Sequence, residues 1–311
     1  MEDLNAQITK ELETHLPSAL AENILSGDQK YQDIYDYIMF PTGKLFRANL
    51  VWRFYCDLNN LSLDSIRLQD YPNVSLVSSA VEIHHAYTLA HDDLPCMDDD
   101  DFRRGKESAH KKFNEWKALL AGDGLLNMSY ELLSRSTHES GISIINDMGR
   151  LCGASGLIYG QYLDLEQDTT DFDLQRVLKI HHLKTANLFI FALNAATRLS
   201  GKENSNLELS GRIGLEIGVL FQLIDDLTEL TEKPSKHEQA ISPWLNEFKK
   251  TLKIFENYII DVTDALKNFR NLNELIENYL HKIQQNVTVN QKNIEENLDN
   301  KIDNILKLLK K

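Results

Sequence analysis

Apolar residues recur with helical spacing along most of the chain. The clearest apolar face has alternating steps of four and three residues and is formed by Ile213, Ile217, Leu220, Ile224 and Leu227. We find no stretch in which apolar and polar positions alternate strictly, as they do in a strand with one buried face. The pattern therefore predicts an all-α fold, a large single-domain helical bundle packed around a central cavity.

A last periodic segment lies near the C-terminus. It follows the polar residues 284–293 and carries Ile294, Leu298, Ile302, Ile305 and Leu309. We therefore expect a main domain over residues 1–284 and a helical appendage over residues 285–311, which packs on the main domain or on a partner subunit. A contact between its lysine-rich end and a membrane surface is the alternative.

Composition narrows the class of protein. The formal net charge of -14 argues against nucleic-acid binding, and 14 Gly and 6 Pro among 311 residues favour long uninterrupted helices. Cys56, Cys96 and Cys152 lack metal-ligand spacing, which favours a reduced compartment. The polar N-terminus lacks the apolar core of a signal peptide, and no apolar run approaches 18 residues. We expect a cytoplasmic location and no integral membrane segment.

The densest chemical signal is an acidic cluster over residues 92–101. Six carboxylates stand within these ten residues, and Arg103 and Arg104 follow directly. The cluster ends an apolar helix, which we expect to stop near Leu94 because Pro95 disfavours helical geometry in the preceding residue. Carboxylates this close repel one another, and the helix dipole disfavours anions at that end. Mg²⁺, which prefers hard oxygen ligands, would relieve both penalties.

A second acidic row follows the spacing i, i+3, i+4, i+7, so its members project from one side of a helix; it consists of Gln222, Asp225, Asp226 and Glu229. Gly214 and Gly218, one turn apart on the same helix, are expected to let another helix approach closely. The first acidic helix carries a similar row of His85, Thr88 and Asp92. The sequence predicts that both rows face one cavity and hold Mg²⁺ ions bridged by a diphosphate.

The segment from His85 to Gly105 closely resembles the first aspartate-rich motif of trans-prenyl diphosphate synthases, above all the bacterial farnesyl-forming members. Weaker matches follow in the expected order, at residues 120–123, 160–164, 184–185 and 221–226. The similarity spans about residues 40 to 230. It implies an isoprenoid synthase fold, a homodimer, and Mg²⁺ as cofactor with three ions in the substrate-bound state.

The resemblance also implies roles for individual residues. The metal ligands would be Asp92, Asp93, Asp98, Asp225, Asp226 and Glu229. The isopentenyl diphosphate pocket would consist of Lys44, Arg47, His85 and Arg104. The allylic diphosphate would be held by Arg103, Lys184, Thr185 and Gln222. Within these sets the catalytic residues would be Asp92, Asp98, Arg103, Lys184 and Asp225. Tyr87, with Thr88, would limit the length of the product.

The implied reaction joins dimethylallyl or geranyl diphosphate to isopentenyl diphosphate and yields farnesyl diphosphate (C15) and diphosphate. Three departures from the family pattern leave alternatives open. Leu45 replaces an arginine, Glu229 replaces an aspartate, and the segment after residue 229 lacks the usual lysines, for which Lys233 and Lys236 are the candidates. A catalytically weakened homologue that binds ligand or regulates a partner is one alternative, and a terpene cyclase is the other.

Overall fold

A computed structural model describes residues 3–21, 29–166 and 171–310, with the backbone alone at 17–21, 203–205 and 236–237. The chain forms two compact units. Unit 1 comprises residues 1–147 and 195–203, and unit 2 comprises residues 148–194 and 204–311. Helices dominate both units, which confirms the predicted all-α class.

The elements up to residue 152 are α1 (Leu4–Ala21), α2 (Gln29–Met39), α3 (Phe46–Asn59), a 3₁₀ turn (Leu68–Asp70), α4 (Pro72–Asp92), β1 (Phe102–Arg103), β2 (Lys106–Glu107), α5 (Ala109–Lys112), α6 (Glu115–Ser134) and α7 (Gly141–Cys152). β1 and β2 pair antiparallel and are the only strands among the described residues.

The elements that follow are α8 (Leu157–Leu165), α9 (Leu174–Ile180), a π-helical turn (His181–Ala186), α10 (Asn187–Leu199), α11 (Glu203–Glu229), α12 (Lys236–Ile241), α13 (Pro243–Asn246), α14 (Phe248–Leu266), α15 (Arg270–Val289), α16 (Gln291–Leu298) and α17 (Asp303–Leu308).

Helix α4 forms the centre of unit 1. It begins with Pro72 in its first turn, where the missing N–H costs no hydrogen bond. It packs on α3 and α6, and the indole of Trp52 donates to Ser78 Oγ at 3.0 Å. The helix ends at Asp92, two residues before the predicted end, and this places the first acidic residue in its last turn.

Helix α11 packs closely against residues 186–190, which precede it in unit 2. A Cβ atom added to Gly214 would lie 2.6 Å from Ile190 Cα, and one added to Gly218 would lie 2.4 Å from Ala186 Cα. Neither distance leaves room for a side chain against backbone. The prediction that these glycines permit a close helix approach is confirmed.

The C-terminal segment packs within unit 2. Helix α15 continues through residue 284 without a break, and α16 and α17 bury Ile294, Leu298 and Ile305. A domain boundary at residue 284 stays a prediction. Within the described residues, no helix is both long enough and apolar enough to cross a membrane. All three cysteines have free thiols.

Candidate active site

Unit 1 carries the acidic end of α4. The amide N–H of Asp98 donates to the main-chain carbonyl of Asp92 at 2.9 Å, and that of Met97 donates to the carbonyl of Leu94 at 2.8 Å. The chain therefore folds back over the helix end, so two carboxylate residues six positions apart share one backbone corner. The side chain of Asp98 is exposed and that of Asp92 is half-buried.

Asp93 is placed differently from its neighbour. Its side chain is buried, and its Oδ1 accepts hydrogen bonds from Arg103 Nε at 2.9 Å and Nη2 at 2.5 Å. The same Nη2 lies 2.6 Å from Asp100 Oδ2. Burial raises the pKa of Asp93, and the hydrogen bond from Arg103 opposes that shift. The charge-assisted bonds that Arg103 donates to two carboxylates thus fix its guanidinium.

The two arginines that follow the acidic cluster point to different neighbours. The turn between β1 and β2 consists of Arg104 and Gly105, whose φ angles are 53° and 76°. Positive φ at both central residues is the requirement of a type I′ hairpin turn. Arg103 bonds to Asp93, whereas the guanidinium of Arg104 lies 3.2 Å from the place of a Cβ on Gly43.

The cations Arg47 and Arg104 lie near the buried His85 of α4, and we call these three residues the arginine cluster. Burial, followed by the charges of Arg47 and Arg104, holds the pKa of His85 well below its usual range, so this imidazole is neutral at pH 7. Both arginines act on Glu82, a buried carboxylate that accepts a 2.9 Å bond from Ala48 N–H. Two guanidinium groups beside one buried carboxylate favour the binding of an anion.

The segment before α3 accounts for one departure from the family pattern. Leu45, which replaces an arginine, is buried and has a φ of 51° at the N-terminal end of α3. Its neighbour Lys44 is exposed. Lys44 is therefore presented to solvent, whereas position 45, where the family has an arginine, belongs to the apolar core.

Tyr87 lies one turn before the acidic end of α4 and is buried. Its ring contacts two histidines edge-on, with centroid distances of 4.5 Å to His84 and 5.7 Å to His91. Thr88 Oγ1 donates to the main-chain carbonyl of His85 at 2.8 Å. The aromatic side chain thus occupies space that no smaller residue would fill.

Gly122 supports the last turn of α4. His91 Nε2 lies 3.0 Å from the carbonyl of Leu119 and 3.7 Å from Asp123 Oδ1. A Cβ on Gly122 would lie only 2.1 Å from the same nitrogen. The glycine therefore gives the imidazole its place on α6, next to the helix end that carries Asp92.

Unit 2 carries the second acidic row at the end of α11. The side chains of Asp225 and Glu229 are exposed, and those of Gln222 and Asp226 are half-buried. A cavity of about 200 Å³ lies beside this row, and its polar lining residues are Asp164, His181, Lys184, Thr185, Gln222, Asp226, Glu229, Glu238 and Ser242. Asp225 does not line this cavity. It lies near Tyr279, whose pKa is raised by burial and by that carboxylate.

A chain of hydrogen bonds crosses this cavity. Thr185 Oγ1 donates to Gln222 Oε1 at 2.8 Å, and Gln222 Nε2 donates to Asp226 Oδ1 at 3.0 Å. The other oxygen of Asp226 lies 3.2 Å from Nε2 of the buried His181. Gln222 therefore engages one oxygen of Asp226, and the other oxygen faces the His181 imidazole. Sequence reasoning missed His181, although it precedes Thr185 by four residues and so shares a helix face with it.

The π-helical turn that carries Lys184 rests on α8. A Cβ on Gly160 would lie 2.3 Å from Lys184 N and 2.7 Å from Lys184 Cα. One turn further along α8, Asp164 Oδ2 lies 2.7 Å from Lys184 Nζ. The glycine sets the distance between the two backbones and the carboxylate orients the ammonium, which gives a physical reason for both residues of the 160–164 match.

The unusual segment after residue 229 folds against α11. Ser235 and Glu238 form a capping box at the start of α12, and the buried indole of Trp244 donates to the carbonyl of Leu223 at 2.8 Å. Lys233 is exposed, and the side chain of Lys236 lies outside the described residues.

Comparisons with known proteins identify the family of this chain. The sequence matches the polyprenyl synthetase family model over residues 28–292. It is 38% identical to farnesyl diphosphate synthase of Bacillus subtilis, over 51% of this chain and 56% of that protein. It is 30% identical to farnesyl diphosphate synthase of Buchnera aphidicola subsp. Schizaphis graminum, over 85% of this chain and 87% of that protein. Proteins named geranylgeranyl pyrophosphate synthases also match, over about half of the chain.

The fold is shared with solved structures. The crystal structure of geranyltransferase from Helicobacter pylori superposes with a TM-score of 0.72 at 25% identity and covers 91% of this chain and 99% of that chain. The predicted isoprenoid synthase fold is therefore confirmed. Because the family match covers far more than half of the sequence, the chain belongs to the polyprenyl synthetase family of prenyltransferases.

Proposed function

We propose that this chain is a Mg²⁺-dependent prenyl diphosphate synthase, which joins an allylic diphosphate to isopentenyl diphosphate and releases diphosphate. The observation that carries this proposal is the arginine cluster of Arg47, His85 and Arg104, since two guanidinium groups beside one buried carboxylate offer an anion site in addition to Arg103. A terpene cyclase ionises a single diphosphate and has no use for a second cationic site.

The carboxylates present suit a magnesium ion. Asp92 and Asp98 belong to one backbone corner, and Asp225 and Glu229 lie near the solvent-accessible end of α11. Carboxylate oxygens in such numbers, close to proposed phosphate sites, are the donors that Mg²⁺ prefers. When bound, Mg²⁺ would neutralise charge on the leaving diphosphate. Asp93 and Asp226, whose oxygens already face Arg103, Gln222 and His181, would support this set.

The side chains of the protein would supply the remaining electrostatic work. Arg103 and Lys184, each fixed by a carboxylate, would hold the allylic diphosphate as negative charge develops on it. The hydroxyl and amide dipoles of Thr185 and Gln222 already lie in one hydrogen-bonded line and would stabilise the allylic cation. Lys44 would join the arginine cluster in holding isopentenyl diphosphate.

One assay tests the proposal against its rivals. Incubation with geranyl diphosphate, isopentenyl diphosphate and Mg²⁺ is expected to release diphosphate and form a longer prenyl diphosphate, with no product when isopentenyl diphosphate is omitted. Turnover of geranyl diphosphate alone would point to a cyclase. Binding without turnover would point to a weakened homologue, which the altered segment after Glu229 favours as second candidate.

Product length depends in this proposal on Tyr87, the buried ring one turn before Asp92. The wild-type product is expected to be farnesyl diphosphate. Tyr87→Ala is expected to shift the main product to C20 or longer, because in this proposal the ring of Tyr87 blocks further growth of the prenyl chain. Chromatography of the dephosphorylated products measures the shift. Tyr87→Leu, which leaves a smaller cavity, gives an intermediate check.

The control is Tyr55→Ala, which truncates a half-buried tyrosine packed on Tyr71 in the same unit. It is expected to leave the product at C15. An identical product profile for wild type and both Tyr87 variants would remove this residue from the account of chain length.

The proposed homodimer follows from the family resemblance, and the proposed location follows from the composition of the sequence. A homodimer would have twice the 35.7 kDa mass of the chain, which light scattering coupled to size-exclusion chromatography measures. The three free thiols fit the proposed cytoplasmic location, where cysteines stay reduced.

A further inference from the structure

The end of α11 leaves a set of carbonyl groups to be satisfied. A helix cannot pair its last carbonyls internally, because no further turn supplies the N–H groups. Here Thr231 N–H donates to the carbonyl of Thr228, and Glu232 N–H donates to that of Glu229, both at 3.2 Å. The next three carbonyls, those of Leu230, Thr231 and Glu232, belong to the turn that follows the helix.

Helix α16 provides donors to these carbonyls from a distant part of the sequence. Asn297 Nδ2 donates to the carbonyls of Leu230 at 2.9 Å and Glu232 at 2.8 Å, and Asn293 Nδ2 donates to that of Thr231 at 3.3 Å. The two asparagines are four residues apart and therefore share one face of α16. We call this pair the asparagine clasp.

Helix α16, which carries the clasp, is itself held in place. Ile294 and Leu298, which lie on the adjacent face of α16, are buried. Glu295 accepts hydrogen bonds from Lys301 and from the N–H of Ile302 and so closes the turn between α16 and α17. Hydrogen bonds from Gln291 and Lys301 lower the pKa of Glu295 to about 2, so this carboxylate stays ionised under ordinary conditions.

The clasped turn borders the cavity of unit 2. Leu230, the first clasped residue, is buried and lines the cavity together with Glu229, the last residue of the acidic row. A movement of the turn would therefore move the Glu229 carboxylate. We propose that the asparagine clasp is a positioning device that holds Glu229 where it can bind Mg²⁺. This inference rests on the proposed function.

The test compares Asn297→Ala with Asn300→Ala. Asn300 Nδ2 donates to the carbonyl of Leu298 inside its own segment, so the control loses an amide from the same region without releasing the α11 end. Loss of the two hydrogen bonds that Asn297 donates is expected to speed deuterium exchange over residues 229–233 by roughly tenfold or more. Exchange in the Asn300→Ala protein is expected to match wild type.

A second measurement separates positioning from stability alone. In Asn297→Ala, the Mg²⁺ concentration for half-maximal activity is expected to rise about tenfold, while kcat at saturating Mg²⁺ stays within about threefold of wild type. Asn297→Asp, which keeps the shape of the side chain and loses its donors, is expected to behave in the same way and serves if the alanine variant folds poorly.

The outcomes are distinct. Unchanged exchange over residues 229–233, or equal acceleration in the control, overturns the clasp. Faster exchange with an unchanged Mg²⁺ requirement overturns its positioning role. Absence of prenyl transfer by the wild-type protein would refute the proposed function and with it the role of the clasp in that chemistry, whereas the exchange measurement would still decide whether the clasp exists.

Discussion

Asp92→Ala is expected to lower kcat for prenyl transfer by about 10²–10³-fold, the scale of loss when one preorganised electrostatic group is removed. Asp92 ends α4, and its carbonyl receives the Asp98 N–H, so it fixes one side of the acidic corner. Asp93, its nearest neighbour, already accepts two hydrogen bonds from Arg103, so it is not expected to take the place of Asp92. Steady-state kinetics at several Mg²⁺ concentrations measures the loss.

A thermal melt separates a functional loss from a structural one. Asp92 stands at the C-terminal end of a helix and among several like charges, both of which disfavour an anion. Asp92→Ala is therefore expected to keep the melting temperature of wild type or to raise it. The control is Asp264→Ala. Asp264 is an exposed aspartate that pairs with Lys267, so this change removes the same charge far from the acidic cluster in the sequence. Near-normal turnover in Asp92→Ala would take the acidic corner out of the mechanism.

Gly160→Ala is expected to reduce activity by about 10²-fold, although residue 160 has no side chain to contact substrate. The added methyl would lie 2.3 Å from Lys184 N, and real Cβ atoms do not approach backbone so closely. The π-helical turn must shift, and with it Lys184 and Thr185. A misplacement of about 1 Å at such groups costs on the order of a hundredfold in rate. Overpacking is also expected to cost about 1–3 kcal/mol in the free energy of unfolding.

The control for this variant is Gly149→Ala. Gly149 also lies in a helix but is exposed, and a Cβ atom there would meet nothing within 4 Å. Alanine is expected to stabilise that helix by up to about 1 kcal/mol and to leave activity unchanged. Denaturant unfolding and kinetics of all three proteins decide the matter, and wild-type kinetics in Gly160→Ala would mean that the turn does not position Lys184.

Periodicity and local chemistry were enough to predict the helical class, the two acidic helices and the glycine-mediated packing of α11. These features follow from residues three or four positions apart, which the sequence displays directly. The end of α4 was also close to prediction, since Pro95 acts on its immediate neighbours. The assignment of metal and substrate residues came from family resemblance and stays a proposal.

Other features depend on contacts between distant segments and could not be predicted in this way. The pairing of Asp164 with Lys184 spans 20 residues, and the contact between Asn297 and Leu230 spans 67. The segment expected as an appendage over 285–311 proved to begin inside α15 and to satisfy carbonyls at the end of α11. A polar residue such as Asn297 carries no local sign of which distant group it will meet.

The compact hairpin that carries Arg103 and Arg104 has a consequence for how the sequence can change. Successive residues of such a ribbon face opposite ways, so adding or deleting one residue reverses every side chain beyond that point. Such an indel just before Arg103 would turn its guanidinium away from Asp93 even though the arginine was retained. Evolution and protein engineering can therefore vary side chains in this ribbon far more freely than its length.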